Sequence, residues 1–205
     1  MKNLVIIGDS YSTFNGYIPK GYLPYYPRLD VQTVEDTWWK KFVAKTGVNL
    51  VVNNSWSGST ICYTGWEKVD CSQTSSFIHR YRKLREEDFF AKNEIDTLLI
   101  FGGTNDSWSD SPLGEMMLSG WKESDLYNAL PAICYFMSML KSDLPNLNIV
   151  FIINSGLKVE IVDCIKTAAA YYGIKSICLG ETEKVDGHPT AKGMTEICDQ
   201  IIESL

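Results

Sequence analysis

Leu4-Val5-Ile6-Ile7-Gly8-Asp9-Ser10 is an apolar run that stops at a glycine, an acid and a serine. Its length, its Val and Ile content and the turn signal that ends it fit a central strand of a parallel sheet, covered on both faces. Ligand chemistry in such sheets gathers at the carboxyl ends of the strands, so Ser10 stands where a site would form. The same Gly-Asp-Ser can also be a plain strand-to-loop turn in which Asp9 or Ser10 caps the next segment. Other parts of the chain must decide between these readings.

Beyond this run, short apolar stretches alternate with amphipathic ones, the pattern of βαβ units. Strands are expected at residues 4–7, 50–52, 97–101, 149–153 and 174–178, and helices at about 36–45, 76–90, 124–140, 159–172 and 190–202. Ser124 and Thr190 suit helix starts, and Gly47 and Gly173 suit helix ends. The expectation is an α/β fold: one three-layer α/β/α domain, flavodoxin-like, spanning residues 1–205 with a five-stranded parallel sheet. Three loops, at 11–35, 53–75 and 102–123, are longer than simple connections require. All follow strands at one edge of the sheet, and long loops in a compact domain usually carry function. They are expected to converge over Ser10.

Composition narrows the function. The 205 residues are 45% hydrophobic and 21% charged, enough for a sizeable core. A formal net charge of -6 and no basic block argue against nucleic acid and anionic membrane as partners. The charged run from Arg80 to Asp88 mixes both signs and reads as a solvated helix face. No apolar stretch is long enough for a membrane span, and the N-terminal one is too short for a signal-peptide core, so a cytoplasmic location is expected, with a secreted or periplasmic one as the alternative if a leader has been removed. The 6 cysteines form neither a Cys-x-x-Cys pair nor a Cys/His cluster, so no metal site is expected and free thiols are the default. Those in helix or strand segments should behave as small buried hydrophobes.

There are only 2 histidines, so an imidazole that activates a serine must be His79 or His188. His79 lies beside Arg80 and Arg82 on an amphipathic helix and reads as a surface or packing residue. His188 lies in Val185-Asp186-Gly187-His188-Pro189-Thr190, between the last strand and the last helix, where the sheet edge would present it. The second and third strands are followed by Asn53-Asn54-Ser55-Trp56-Ser57-Gly58-Ser59-Thr60 and Phe101-Gly102-Gly103-Thr104-Asn105-Asp106. Either could be turn chemistry. Together, a glycine N–H and an asparagine amide beside a serine N–H would give fixed donors to a tetrahedral oxyanion.

Taken in order, Gly8-Asp9-Ser10, Gly58, Gly103-Thr104-Asn105-Asp106 and Asp186-Gly187-His188-Pro189 with Gly193 make the chain resemble the GDSL/SGNH hydrolases, a family of esterases and lipases. Tyr11 stands where that family has the leucine of one of its names. The resemblance implies Ser10 as nucleophile, His188 as base and then acid, and the N–H groups of Ser10 and Gly58 with the Asn105 side chain as oxyanion donors. It implies no cofactor. The family places its acid three residues before the histidine, which here is Val185. Asp186 is the expected orienting acid, with Glu183 or a backbone carbonyl as alternatives, since fixing the tautomer requires only an acceptor. Asp9 and Asp106 read as structural, bonding nearby backbone N–H groups.

The loops expected at the site are rich in rings among Ser, Thr and Asn, and poor in Leu, Ile and Val. Tyr11, Trp56 and Trp108 are the expected substrate contacts, and the mixture suits a polar ring more than a long acyl chain. The sequence therefore points to hydrolysis of a short acyl, most simply acetyl, ester of a small molecule or oligosaccharide. The alternatives are a lipid or aryl acyl-ester hydrolase such as a lysophospholipase, or a carbohydrate-binding relative without activity.

Overall fold

A computed structural model describes residues 2–205. Five parallel strands, β1 (Asn3–Gly8), β2 (Asn49–Ser55), β3 (Thr97–Phe101), β4 (Asn148–Ile153) and β5 (Lys175–Cys178), lie in the order β2-β1-β3-β4-β5. This is the expected α/β sheet. The strand order reverses between β1 and β3, and crevices for ligands open at such switch points. Gly8 pairs with Ser55 on one side and Phe101 on the other, so β1, β2 and β3 end level with one another.

Period-two alternation builds a core on each face. Val5, Ile7, Leu98, Ile100 and Phe151 pack on one face against α2 (Phe77–Glu86), α5 (Ala129–Asp143) and α6 (Val159–Tyr172). Leu4, Ile6, Leu99, Phe101 and Val150 pack on the other against α1 (Trp38–Thr46) and α7 (Ala191–Ser204). Covering both faces explains why β1 reads as a continuous apolar run. Each of its buried aliphatic side chains contributes about 1.5–3 kcal/mol relative to exposure.

Helix ends follow local chemistry. Thr37, Ser76 and Thr190 cap α1, α2 and α7 through their hydroxyls, and Gly47 and Gly173 close α1 and α6 in the left-handed region. Two expectations need correction. The helix expected from Ser124 begins at Ala129, after a 3-10 turn, Glu123–Tyr127. That start leaves Pro131 in the first turn, where a missing N–H matters little; from Ser124 it would have broken the interior. The helix expected over 76–90 divides where Asp88 turns left-handed (φ 56°), giving α2 and a short α3 (Phe89–Lys92).

Two small elements at the sheet's carboxyl edge escape the sequence pattern. They are α4 (Thr104–Trp108) and an antiparallel hairpin of β6 (Lys184–Val185) and β7 (His188–Pro189). All six cysteines are free and five are buried; Cys178 is exposed, because it ends the edge strand β5. Among the described residues no helix is long and apolar enough to cross a membrane.

Candidate active site

The chain leaves β1 at Gly8 and enters a single 3-10 turn, Ser10–Ser12. Asp9 caps it, one carboxylate oxygen accepting the Tyr11 N–H at 3.1 Å. A side chain at Gly8 would sit 2.7 Å from the Ser12 and Ser55 hydroxyls, so this close approach to β2 needs glycine. Burial pushes the Asp9 carboxyl up to about 7, against the pull of the Tyr11 N–H. Ser10 is 3% exposed, and its Oγ lies 3.0 Å from His188 Nε2. Both readings of Gly-Asp-Ser hold together: Asp9 makes the cap, and the cap aims Ser10 at an imidazole.

His188 begins β7. The hairpin turn is Asp186 (φ 49°) and Gly187 (φ 78°), a pair suited to the positive φ values of tight hairpins. The imidazole Nδ1 lies 3.2 Å from the Asp186 carbonyl oxygen. A carbonyl can only accept, so the partners assign the hydrogen to Nδ1 and leave the Nε2 lone pair for the Ser10 hydroxyl. Asp186 thus meets the ring through its main chain. Its carboxylate is exposed and bonds no protein group among the described residues. Glu183 accepts instead from Thr190 Oγ1 at 2.6 Å and Lys192 Nζ at 3.3 Å.

Three tyrosines of the expected loop brace this hairpin. The Tyr25 ring lies flat on the imidazole, centroids 3.7 Å apart and planes within 8°. The Tyr11 hydroxyl donates to the Gly187 carbonyl at 2.5 Å, and Tyr26 to that of Pro189 at 2.7 Å. Burial lowers the His188 pKa below the usual imidazole value; Arg28 adds to the shift, and the Asp186 carbonyl bond opposes it. The ring is therefore neutral at pH 7 and able to accept a proton.

Gly58 follows β2, and Asn105 lies in α4, which follows β3. Among the described residues no protein acceptor bonds the Ser10 or Gly58 N–H. Asn105 Nδ2 donates one hydrogen to the Ser59 carbonyl at 3.0 Å, while Asn105 Oδ1 accepts from the Trp66 indole at 3.0 Å. Asp106, wholly buried, accepts from the Ile61 and Cys62 N–H groups and pins the loop after Gly58 to α4.

Arg80 corrects the view of residues 80–88 as a solvated face. It is wholly buried, donating to the carbonyls of Gly8 at 3.1 Å and Ser75 at 2.9 Å, to Asn54, and to the Ser59 hydroxyl at 3.1 Å. Burial lowers its pKa to about 10, which leaves it charged. One guanidinium so ties the end of β1 to the loops after β2. The signal was present in the sequence: Arg80 falls three residues after Phe77 and one before Tyr81, on the apolar face of α2.

The expected substrate contacts separate. Trp108 is half-buried, edge-on to the imidazole with centroids 5.9 Å apart. Trp56 is half-buried against Tyr22, centroids 4.4 Å apart. Tyr11 has no exposed surface, because its ring packs on Phe101 and its hydroxyl is held by Gly187; it supports the hairpin and offers no face to a substrate. His79 is half-buried on α2, and the imidazole in contact with Ser10 is that of His188. The bracing tyrosines 25 and 26 and Trp66 carry no distinguishing sequence pattern beyond their place in the long loops.

The profile of the GDSL-like lipase/acylhydrolase family matches residues 2–205. A solved structure from Bacteroides ovatus, described as a GDSL-like lipase, is 42% identical, with a TM-score of 0.90 over 99% of this chain and 97% of its own. A second so described, from Bacteroides uniformis, is 42% identical, with a TM-score of 0.91 over 100% of this chain and 95% of its own. An acetyl xylan esterase of the rumen bacterium Butyrivibrio proteoclasticus shares the fold at 17% identity, with a TM-score of 0.62 over 98% of this chain and 62% of its own. No curated protein sequence matches. By its profile and its 42% identical structural relatives, the chain belongs to the GDSL-like lipase/acylhydrolase family of ester hydrolases.

Proposed function

We propose that this protein is a serine esterase that removes a short acyl group, most simply acetyl, from a carbohydrate through an acyl-enzyme on Ser10. The observation that carries the reading is the 3.0 Å contact between Ser10 Oγ and His188 Nε2, together with Ser10 and Gly58 N–H groups that bond no protein acceptor among the described residues.

In this reading His188 takes the Ser10 proton as Oγ attacks the ester carbonyl. The oxyanion is held by the Ser10 and Gly58 N–H groups and the second Asn105 amide hydrogen. The C–O bond to the alcohol breaks, and the alcohol leaves with the proton from His188. Water, deprotonated by the same imidazole, then releases the acid and restores the serine. The Asp186 carbonyl keeps Nδ1 protonated throughout, in place of a carboxylate.

Three features support a short acyl group and a sugar. The residues around the nucleophile are rings and small polar groups. An apolar cleft of about 520 Å³ runs along edge strand β2, between Tyr17, Trp39, Val43 and Leu50, and its lining includes neither Ser10 nor His188. The acetyl xylan esterase shows that the same fold serves this chemistry in another protein.

Acetylated oligosaccharides and p-nitrophenyl esters of rising chain length, with Ser10→Ala as control, test the proposal. The expected result is acetate release from the sugars, falling rates beyond short acyl chains, and a loss on the order of 10⁶ in Ser10→Ala. Preference for long acyl chains would establish the lipid-ester reading instead. Sugar binding without turnover would establish a binding protein.

A further inference from the structure

Trp66 is 46% exposed, yet its position is closely defined. It starts a 3-10 turn, Trp66–Lys68, in which Glu67 (φ 54°) and Lys68 (φ 60°) are both left-handed. Hydrogen bonds close the loop around it: Gly65 N–H to the Val69 carbonyl at 2.8 Å, and Cys71 N–H to that of Tyr63 at 2.7 Å. The indole then lies against Gly58, where an added Cβ would meet Cδ1 at 3.7 Å and Nε1 at 3.8 Å. It also donates to Asn105 Oδ1 at 3.0 Å. One side chain bonds one of the three residues that carry the proposed oxyanion donors and stands beside a second.

An indole N–H can only donate, so the atom it meets on Asn105 must be the oxygen. The Ser59 carbonyl can only accept, so the atom it meets must be the nitrogen. The amide plane is thereby fixed from both ends, and its second hydrogen has no protein acceptor among the described residues. Donation to Oδ1 also withdraws electron density from the amide and strengthens its remaining N–H as a donor.

We propose that Trp66 is a positioning residue of the oxyanion hole, holding and polarising the Asn105 amide through its indole N–H; this rests on the esterase reading above. Trp66→Phe keeps an aromatic ring at this position and removes the N–H, along with the second ring of the indole. It should lower kcat about three- to tenfold, the span of one neutral hydrogen bond, with KM and melting temperature nearly unchanged. In an Asn105→Ala background the same substitution should have no further effect, since the pair acts as one unit. Equal losses in both backgrounds, or wild-type turnover in Trp66→Phe, would overturn the proposal. A readout without turnover separates it from the function itself: in ¹H–¹⁵N spectra, Trp66→Phe should shift the Asn105 side-chain amide signals, and unmoved signals would refute the contact. Wild-type protein that cleaves no ester would sink the esterase reading while those spectra still decide the role of Trp66.

Discussion

His188 is held by neutral groups: a main-chain carbonyl, the flat face of Tyr25 and two tyrosine hydroxyls on the adjoining carbonyls. The donor-bearing loops are instead tied by a buried guanidinium, Arg80, and a buried carboxylate, Asp106. Neutral bracing leaves burial as the main influence on the basicity of the imidazole, with the Asp186 charge favouring the imidazolium only as a lesser effect and through no hydrogen bond to the ring. Ionic bracing makes the loops rigid and keeps a cation beside the end of β1, close to where negative charge would develop. The two regions should therefore respond differently to substitution.

The largest effect is expected on the donor side. Asn105→Ala should lower kcat by ~10²–10³ with little change in KM, as measured on p-nitrophenyl acetate. Arg80→Met should act mainly on stability, because it leaves several buried acceptors unpaired at about 1–3 kcal/mol each. A loss of at least ~3 kcal/mol would lower the melting temperature by roughly 10 °C in a chain of this size, and a variant as stable as wild type would break the ionic half of the comparison.

On the base side, effects should be smaller and carried by shape. Tyr25→Leu, which removes the stacked face, should cost up to about tenfold in kcat. Tyr25→Phe should cost nothing, since no bond of the Tyr25 hydroxyl holds the ring. The pH profile of kcat/KM should fall on the acid side as His188 gains a proton. Its midpoint should lie below the ordinary imidazole value, because burial disfavours the cation. Asp186→Asn should change kcat by less than about threefold and tolerate the left-handed backbone there; a carboxylate that held the ring would instead cost about 10⁴.

These contrasts also explain what the sequence could reveal. The sheet was legible because buried parallel strands write themselves as uninterrupted apolar runs; Ser10, Gly58 and Asn105 stood out because each follows such a strand, and His188 because it is one of only 2 histidines. The partner of His188 was legible only as a set of alternatives, since a carbonyl is present at every residue and leaves no side-chain mark. Tyr11 was misplaced as a substrate contact for a related reason: a ring in a loop looks the same whether it faces solvent or supports a hairpin. Arg80 was hidden by its charge, which suggests solvent until its place on the apolar face of α2 is noticed. The start of α5 was legible in hindsight from Pro131, which belongs in a first turn.

The claim on which the rest depends is that Ser10 is a nucleophile activated by an imidazole without a carboxylate behind it. Intact-mass measurement after brief exposure to a fluorophosphonate at pH 7 tests this most directly. A single adduct on Ser10, absent from Ser10→Ala and formed at nearly the same rate in Asp186→Asn, is the predicted result. An unlabelled wild-type protein, or labelling abolished by Asp186→Asn, would contradict it.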